Sequence, residues 1–174
     1  MKSRLVLLVI CSCAVVAFAQ EKNPVTSTVK QLMARQQKNL TDAAEEMPAD
    51  DYSYKPTPAQ MSFGHLVMHI AGSNNFLCAK LSGTPAPKSE VKESDGKDKL
   101  VSALKESFDF CTTALGKVDD SKLGEPVELF GGRKGPLAMA LIGLTNDWAD
   151  HYAAAAMYLR LKGMLPPTAK KKGE

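Results

Sequence analysis

Asn146-Asp147-Trp148-Ala149-Asp150-His151-Tyr152 lies inside a long helical pattern that runs from about Pro136 to Gly163. Leu137, Ala140, Leu141, Leu144, Trp148, Ala155, Tyr158 and Leu159 recur at spacings of three and four, as on a helix with one buried face. Asp147 and His151 share that face, one turn or roughly 6 Å apart along the axis. The spacing therefore predicts a carboxylate and an imidazole that both point inward. Burying two such groups is unfavourable unless they bond to each other, to a metal or to a partner from another helix.

Three more helical patterns lie upstream. From Pro24 to about Met47, Val25, Val29, Leu32, Met33, Leu40, Ala43 and Ala44 alternate with Lys, Arg and Gln at the spacing of an amphipathic first helix. Thr57-Pro58-Ala59-Gln60 offers a cap, a proline for the first turn and a glutamine that can close a capping box, so a second helix is expected to start there. Its apolar members Phe63, Leu66, Val67, Ile70, Phe76 and Leu77 cover more than half the circumference, and Gly83-Thr84-Pro85 ends it. Pro85 to Gly96 is polar and long enough to carry the chain from one end of a bundle to the other. Leu100, Leu104, Phe108, Cys111 and Leu115 mark a third helix from Lys97 or Asp98 to Leu115. Val118 to Lys134, with Pro126 and Gly131-Gly132, reads as a loop containing a short extended piece at Val127–Phe130. Gly163 and Pro166-Pro167 stop the fourth helix. No strand pattern of any length competes, and the expected fold class is all-α, a single four-helix bundle with a long crossover between helices two and three.

The amino terminus reads as a processing signal. Lys2 and Arg4 precede a mostly apolar run from Leu5 to Val16, and Ala17-Phe18-Ala19 supplies small residues for a signal peptidase. The expected organisation is a signal peptide at 1–19, one domain at 20–167 and a basic tail at 168–174, in an exported protein. The apolar run is shorter than the roughly 20 residues of a membrane span, so no stable span is expected after processing. A lipoprotein anchored through Cys13 is a minor alternative. Losing Lys2 and Arg4 lowers the formal charge from +3 to +1. That balance gives no broad basic field for nucleic acid, and Arg133-Lys134 reads as an exposed loop. The processed chain keeps Cys78 and Cys111, which suit either a disulfide in an oxidising compartment or two separate buried thiols.

Among three histidines, His65 and His69 fall on the second helix and His151 on the fourth. Two imidazoles and a carboxylate from His69, Asp147 and His151 make a ligand set that suits a divalent zinc, nickel or iron ion with one position open. His65, Asp150 and Tyr158 are the candidates to hold those ligands in place. The bland alternative is an Asp147–His151 pair that only fixes helix register. No phosphate-cradling glycine loop, dinucleotide fingerprint or nucleophile elbow is present.

Lys55-Pro56-Thr57-Pro58, then Ser62-Phe63-Gly64-His65-Leu66-Val67-Met68-His69-Ile70-Ala71, then His151-Tyr152 running to Tyr158-Leu159-Arg160-Leu161-Lys162-Gly163 and Pro166-Pro167, together resemble the DinB-like superfamily. The resemblance covers most of the processed chain. It implies an up-down-down-up bundle holding a divalent metal through one histidine of the second helix and a His-x-x-x-His pair of the fourth. His69 and His151 match two of those positions, and Asp147 stands where the family has the other histidine. The implied path also bears on the cysteines: parallel second and third helices would bring Cys78 and Cys111 near enough to bridge, and antiparallel ones would not.

Two functions from different classes follow. One is an exported metal-dependent hydrolase or transferase with a small-molecule substrate. Thiol transfer, an activity of some relatives, fits poorly with export because low-molecular-weight thiols are kept in the cytosol. The other is a non-catalytic bundle that binds a small apolar ligand or a partner, a second copy of the chain included, without metal.

Overall fold

In a computed structural model, which describes residues 21–170, the chain forms α1 (Pro24–Glu46), α2 (Phe63–Ser82), α3 (Lys97–Leu115) and α4 (Leu137–Leu161). A short hairpin of β1 (Pro126–Glu128) and β2 (Lys134–Pro136) precedes α4. The segment 1–19 read as a signal peptide, and residues 171–174 of the basic tail, lie outside the described residues.

Local chemistry sets the helix ends. Pro24 occupies the start of α1, where an N–H would have no helical partner. The next donors are satisfied from a distance: the Asp120 carboxylate accepts from the Val25 N–H at 2.8 Å and the Thr26 N–H at 3.1 Å. α2 begins five residues after the expected proline, at Phe63, with Ser62 as its cap accepting from the His65 N–H at 3.0 Å. Thr57 to Gln60 closes only a turn. The reason is competition: the Tyr54 carbonyl takes the Phe63 N–H at 3.1 Å and the Tyr52 carbonyl takes the Gly64 N–H at 2.8 Å. That close approach needs glycine, since a Cβ on Gly64 would lie 3.2 Å from the Tyr52 oxygen. α4 ends where Gly163 takes φ 77° and the Met164 N–H returns to the Leu159 carbonyl at 2.9 Å.

α2 packs against α3 and α4, and α1 completes the bundle against the same two helices. The pairs Asn74–Ser107 and Cys78–Cys111 advance together along α2 and α3, so these helices run parallel. The crossover, residues 83–96, makes this possible by returning the chain to the start of α2, where Glu93 bonds Ser62 and lies 3.1 Å from His65 Nδ1. α4 runs against α2, with Trp148 at Asn74 and Tyr158 at Phe63. Just past the ends of α1 and α4, Lys162 meets Asp51 at 2.8 Å, and Lys170 reaches back to Glu46 at 2.8 Å. The path is up-down-down-up. Cys78 and Cys111 form a disulfide with Cα atoms 5.2 Å apart, which resolves the alternatives the cysteines left open.

Leu40, Phe63, Ile70, Leu100, Phe108, Leu141, Leu144 and Trp148 fill the centre. One polar cluster crosses it: Trp148 Nε1 donates to Asn74 Oδ1 at 2.7 Å, Asn74 Nδ2 donates to Ser107 Oγ at 3.0 Å, and Ser107 donates to the Leu104 carbonyl at 2.7 Å. Each side-chain polar atom in that chain has a partner, which is what a buried polar group requires. The hairpin is more ordered than the expected loop. Val127 pairs with Gly135, and the turn carries Phe130 onto Phe76 of α2 with ring centroids 4.0 Å apart. Arg133 and Lys134 are exposed there. Among the described residues, no helix is long and apolar enough to cross a membrane.

Candidate metal centre

His69 comes from the middle of α2, and Asp147 and His151 come from α4 one turn apart. Because α2 and α4 are antiparallel neighbours, the three side chains meet at the seam between them. One ligand atom from each lies within 4.8 Å of the others. The rings of His69 and His151 approach edge to face, 4.8 Å between centroids.

The cluster sits at the surface edge of the bundle and not in its interior, where the helical spacing placed it. His69 is exposed, while the side chains of His151 and Asp147 retain 18% and 20% of their accessible area. The cause lies in helix geometry. Consecutive residues step about 100° around the axis, so with Trp148 aimed at the core, Asp147 and His151 flank it on the side facing α2.

Two buried atoms carry the chemical argument. His151 Nε2 and Asp147 Oδ2 have no hydrogen-bond partner among the described residues. His151 Nε2 lies 3.3 Å from Asp147 Oδ1 without hydrogen-bond geometry. Leaving such groups unpaired costs about 1–3 kcal/mol each, and an ion held by both would remove that cost. The donor set fits: imidazole and carboxylate together suit zinc, nickel and ferrous iron. The three ligand atoms converge within 4.8 Å, with His69 on the exposed rim. Its pKa is held below the ordinary imidazole value by partial burial first and by the neighbouring His151 second, with Asp147 acting in the opposite direction. Neutral imidazole is the form that ligates a metal.

The three residues expected around the ligands lie differently. His65 faces Glu93 and ties the crossover to the start of α2; its nearest polar partner is that carboxylate. Ser62 and then His65 hold the Glu93 carboxyl below its usual pKa by hydrogen bonding. Asp150 is exposed on the outer side of α4. Tyr158 is buried, and its hydroxyl donates to the Met61 carbonyl at 2.6 Å. A cavity of about 330 Å³ opens beside His151, with Leu66, Ala154 and Tyr158 as walls and Gln60 and Met61 above. Neither this cavity nor Asn74 follows from helical spacing. A signal existed for the second, an amide on α2's buried face between Ile70 and Cys78.

The sequence profile of the DinB superfamily matches residues 32–154, which include all three clustered side chains. The chain belongs to the DinB superfamily. Solved structures agree on the fold. A DinB-like protein from Bacillus subtilis is 22% identical and superposes with a TM-score of 0.66, over 86% of this chain and 99% of its own. A DinB-like protein from Bacillus cereus is 16% identical with a TM-score of 0.62, over 81% and 95%. A conserved protein from Enterococcus faecalis is 15% identical with a TM-score of 0.65, over 79% and 96%. No curated protein matches the sequence. Within the DinB superfamily this chain thus presents two histidines and an aspartate at the seam of α2 and α4.

Proposed function

We propose that this DinB superfamily protein is exported and binds one divalent transition-metal ion through His69, Asp147 and His151, as a metal-dependent hydrolase or transferase acting on a small molecule. The observation that carries the reading is the pair of unpartnered buried atoms, His151 Nε2 and Asp147 Oδ2, facing a third ligating side chain. His69, Asp147 and His151 would hold the ion, which would supply Lewis acidity toward water or a substrate heteroatom. The protein's own contribution is orientation. The Trp148–Asn74 bond fixes α4 against α2 about one turn from the ligands, so the two halves of the site keep their register. The exposed His69 leaves the site accessible from solution.

Export is supported by the Cys78–Cys111 disulfide, since such bonds persist in oxidising compartments, and by the signal-like residues 1–19. The competing reading, a metal-free bundle, draws on the 3.3 Å approach of Asp147 Oδ1 to His151 Nε2, near enough for the two side chains to partner each other without an ion.

Metal analysis of protein purified without a histidine tag separates the two. The metal reading expects near-stoichiometric zinc, nickel or iron, lost in His69→Ala and His151→Ala. It also expects a lower melting temperature on chelation, because a ligand at a hundred times its Kd stabilises by about 2.7 kcal/mol. Absence of metal with a melting temperature indifferent to chelator supports the metal-free bundle.

A further inference from the structure

We propose that the cavity beside His151 is a binding site for small, uncharged, largely apolar molecules with one polar group, and that this site sets the substrate class of the metal centre. The inference rests on the metal reading only for the direction a bound molecule faces; the cavity is formed by the chain alone.

Volume and lining decide the class. At about 330 Å³ the cavity is at the small end for ligand sites, roomy enough for a single ring with a short substituent. Its lining is the apolar Ala59, Met61, Leu66 and Ala154 with Tyr158, Gln60 and His151. No Lys, Arg, Asp or Glu lines it. Against these walls without an ion, a phosphate or carboxylate would lose water without gaining a countercharge, which is unfavourable, whereas an apolar ring gains by the area it buries. His151 belongs to both the cavity and the ligand cluster, so a ring seated against Leu66 directs its polar group toward the seam.

The cavity is also pre-formed. Tyr158 holds the covering segment by its hydrogen bond to the Met61 carbonyl, and its own ring is fixed by Phe63 and Tyr54, with centroids 5.8 and 6.2 Å away. The same hydrogen bond occupies the phenol's donor, and Gln60 Oε1 accepts from the Thr57 hydroxyl at 3.3 Å, which leaves the Gln60 NH2 as a neutral donor in the lining. Met61, also in the lining, is 38% exposed. Rigid walls reduce the ordering cost of binding.

The test compares benzamide, benzoate and phenyl phosphate by titration into zinc-free, isotope-labelled protein, following backbone amide signals. Benzamide is expected to shift Leu66 and Ala154 saturably, with the two anions at least tenfold weaker. Ala154→Leu, at a partly exposed helical position pointing at the cavity, is expected to weaken benzamide at least fivefold. Met61→Ala is expected to weaken it about threefold, and circular dichroism confirms that both variants fold. Anion binding as strong as benzamide binding, or benzamide shifts that neither variant reduces, would overturn the assignment. Zinc uptake on the same samples reads the metal separately, so benzamide binding without zinc uptake keeps the cavity and removes the ion.

Discussion

Truncating Asn74 to alanine should destabilise the protein by about 3 kcal/mol, because its side chain on α2 bonds α4 and α3 at the centre of the bundle. Its side chain is fully buried and holds Trp148 Nε1 at 2.7 Å and Ser107 Oγ at 3.0 Å. Removing it orphans the indole N–H in a ring with no exposed area, a loss of about 1–3 kcal/mol. Ser107 suffers less, since its hydroxyl keeps the Leu104 carbonyl as acceptor. The void adds roughly another kcal/mol. For a chain of this size each kcal/mol lowers the melting temperature by about 2–4 °C, giving an expected drop of roughly 6–12 °C. Trp148 is the protein's one tryptophan, so urea unfolding followed by its fluorescence reads the site itself. The double variant Asn74→Ala/Ser107→Ala should lose little more than Asn74→Ala alone, because the first change already removes the cross-helix partner of Ser107. A loss under about 1 kcal/mol for Asn74→Ala, or strict additivity in the double variant, would refute the claim that this cluster sets the register of α2, α3 and α4.

Reducing the Cys78–Cys111 bridge, which closes a span of 33 residues, should cost about 3–4 kcal/mol by loop entropy; thermal melts with and without reductant, and of Cys78→Ser/Cys111→Ser, measure it. Asp120→Ala should cost about 1–2 kcal/mol through loss of the bonds that cap α1. Desolvation acts to raise the Asp120 pKa, but the hydrogen bonds from Thr26 and Val25 outweigh it and leave the carboxyl below its ordinary 3.8. A depressed folded pKa means that this stabilisation is present above the unfolded value near 3.8 and is lost as pH falls through the folded value. Acid unfolding curves should therefore differ least between wild type and Asp120→Asn at the lowest pH and most above pH 4 or so; a gap that widens on acidification contradicts the sign.

Much of the fold was legible because the strongest signals are local. The run Leu100, Leu104, Phe108, Cys111, Leu115 marks α3 to within a residue of its observed ends, Lys97 and Leu115. The start of α2 was misread since Thr57-Pro58-Ala59-Gln60 carries every local mark of a cap, while the deciding bonds come from the Tyr52 and Tyr54 carbonyls on the preceding segment. The hairpin depends on pairing across a glycine turn and on the Phe76 face, neither of which a three-residue strand announces. Asp147 and His151 stood out as polar residues beside Trp148, but their depth depends on where α2 lies, a tertiary fact. Disulfide formation was open until the parallel course of α2 and α3 was known.

The central claim is that one ion sits among His69, Asp147 and His151. Anomalous X-ray scattering from crystals of the zinc-loaded protein, recorded on both sides of the zinc edge, tests it most directly. The account predicts a single strong peak bonded to both imidazoles and the Asp147 carboxylate, and its loss in crystals of His151→Ala. A peak elsewhere on the chain, or no peak under saturating zinc, would contradict it.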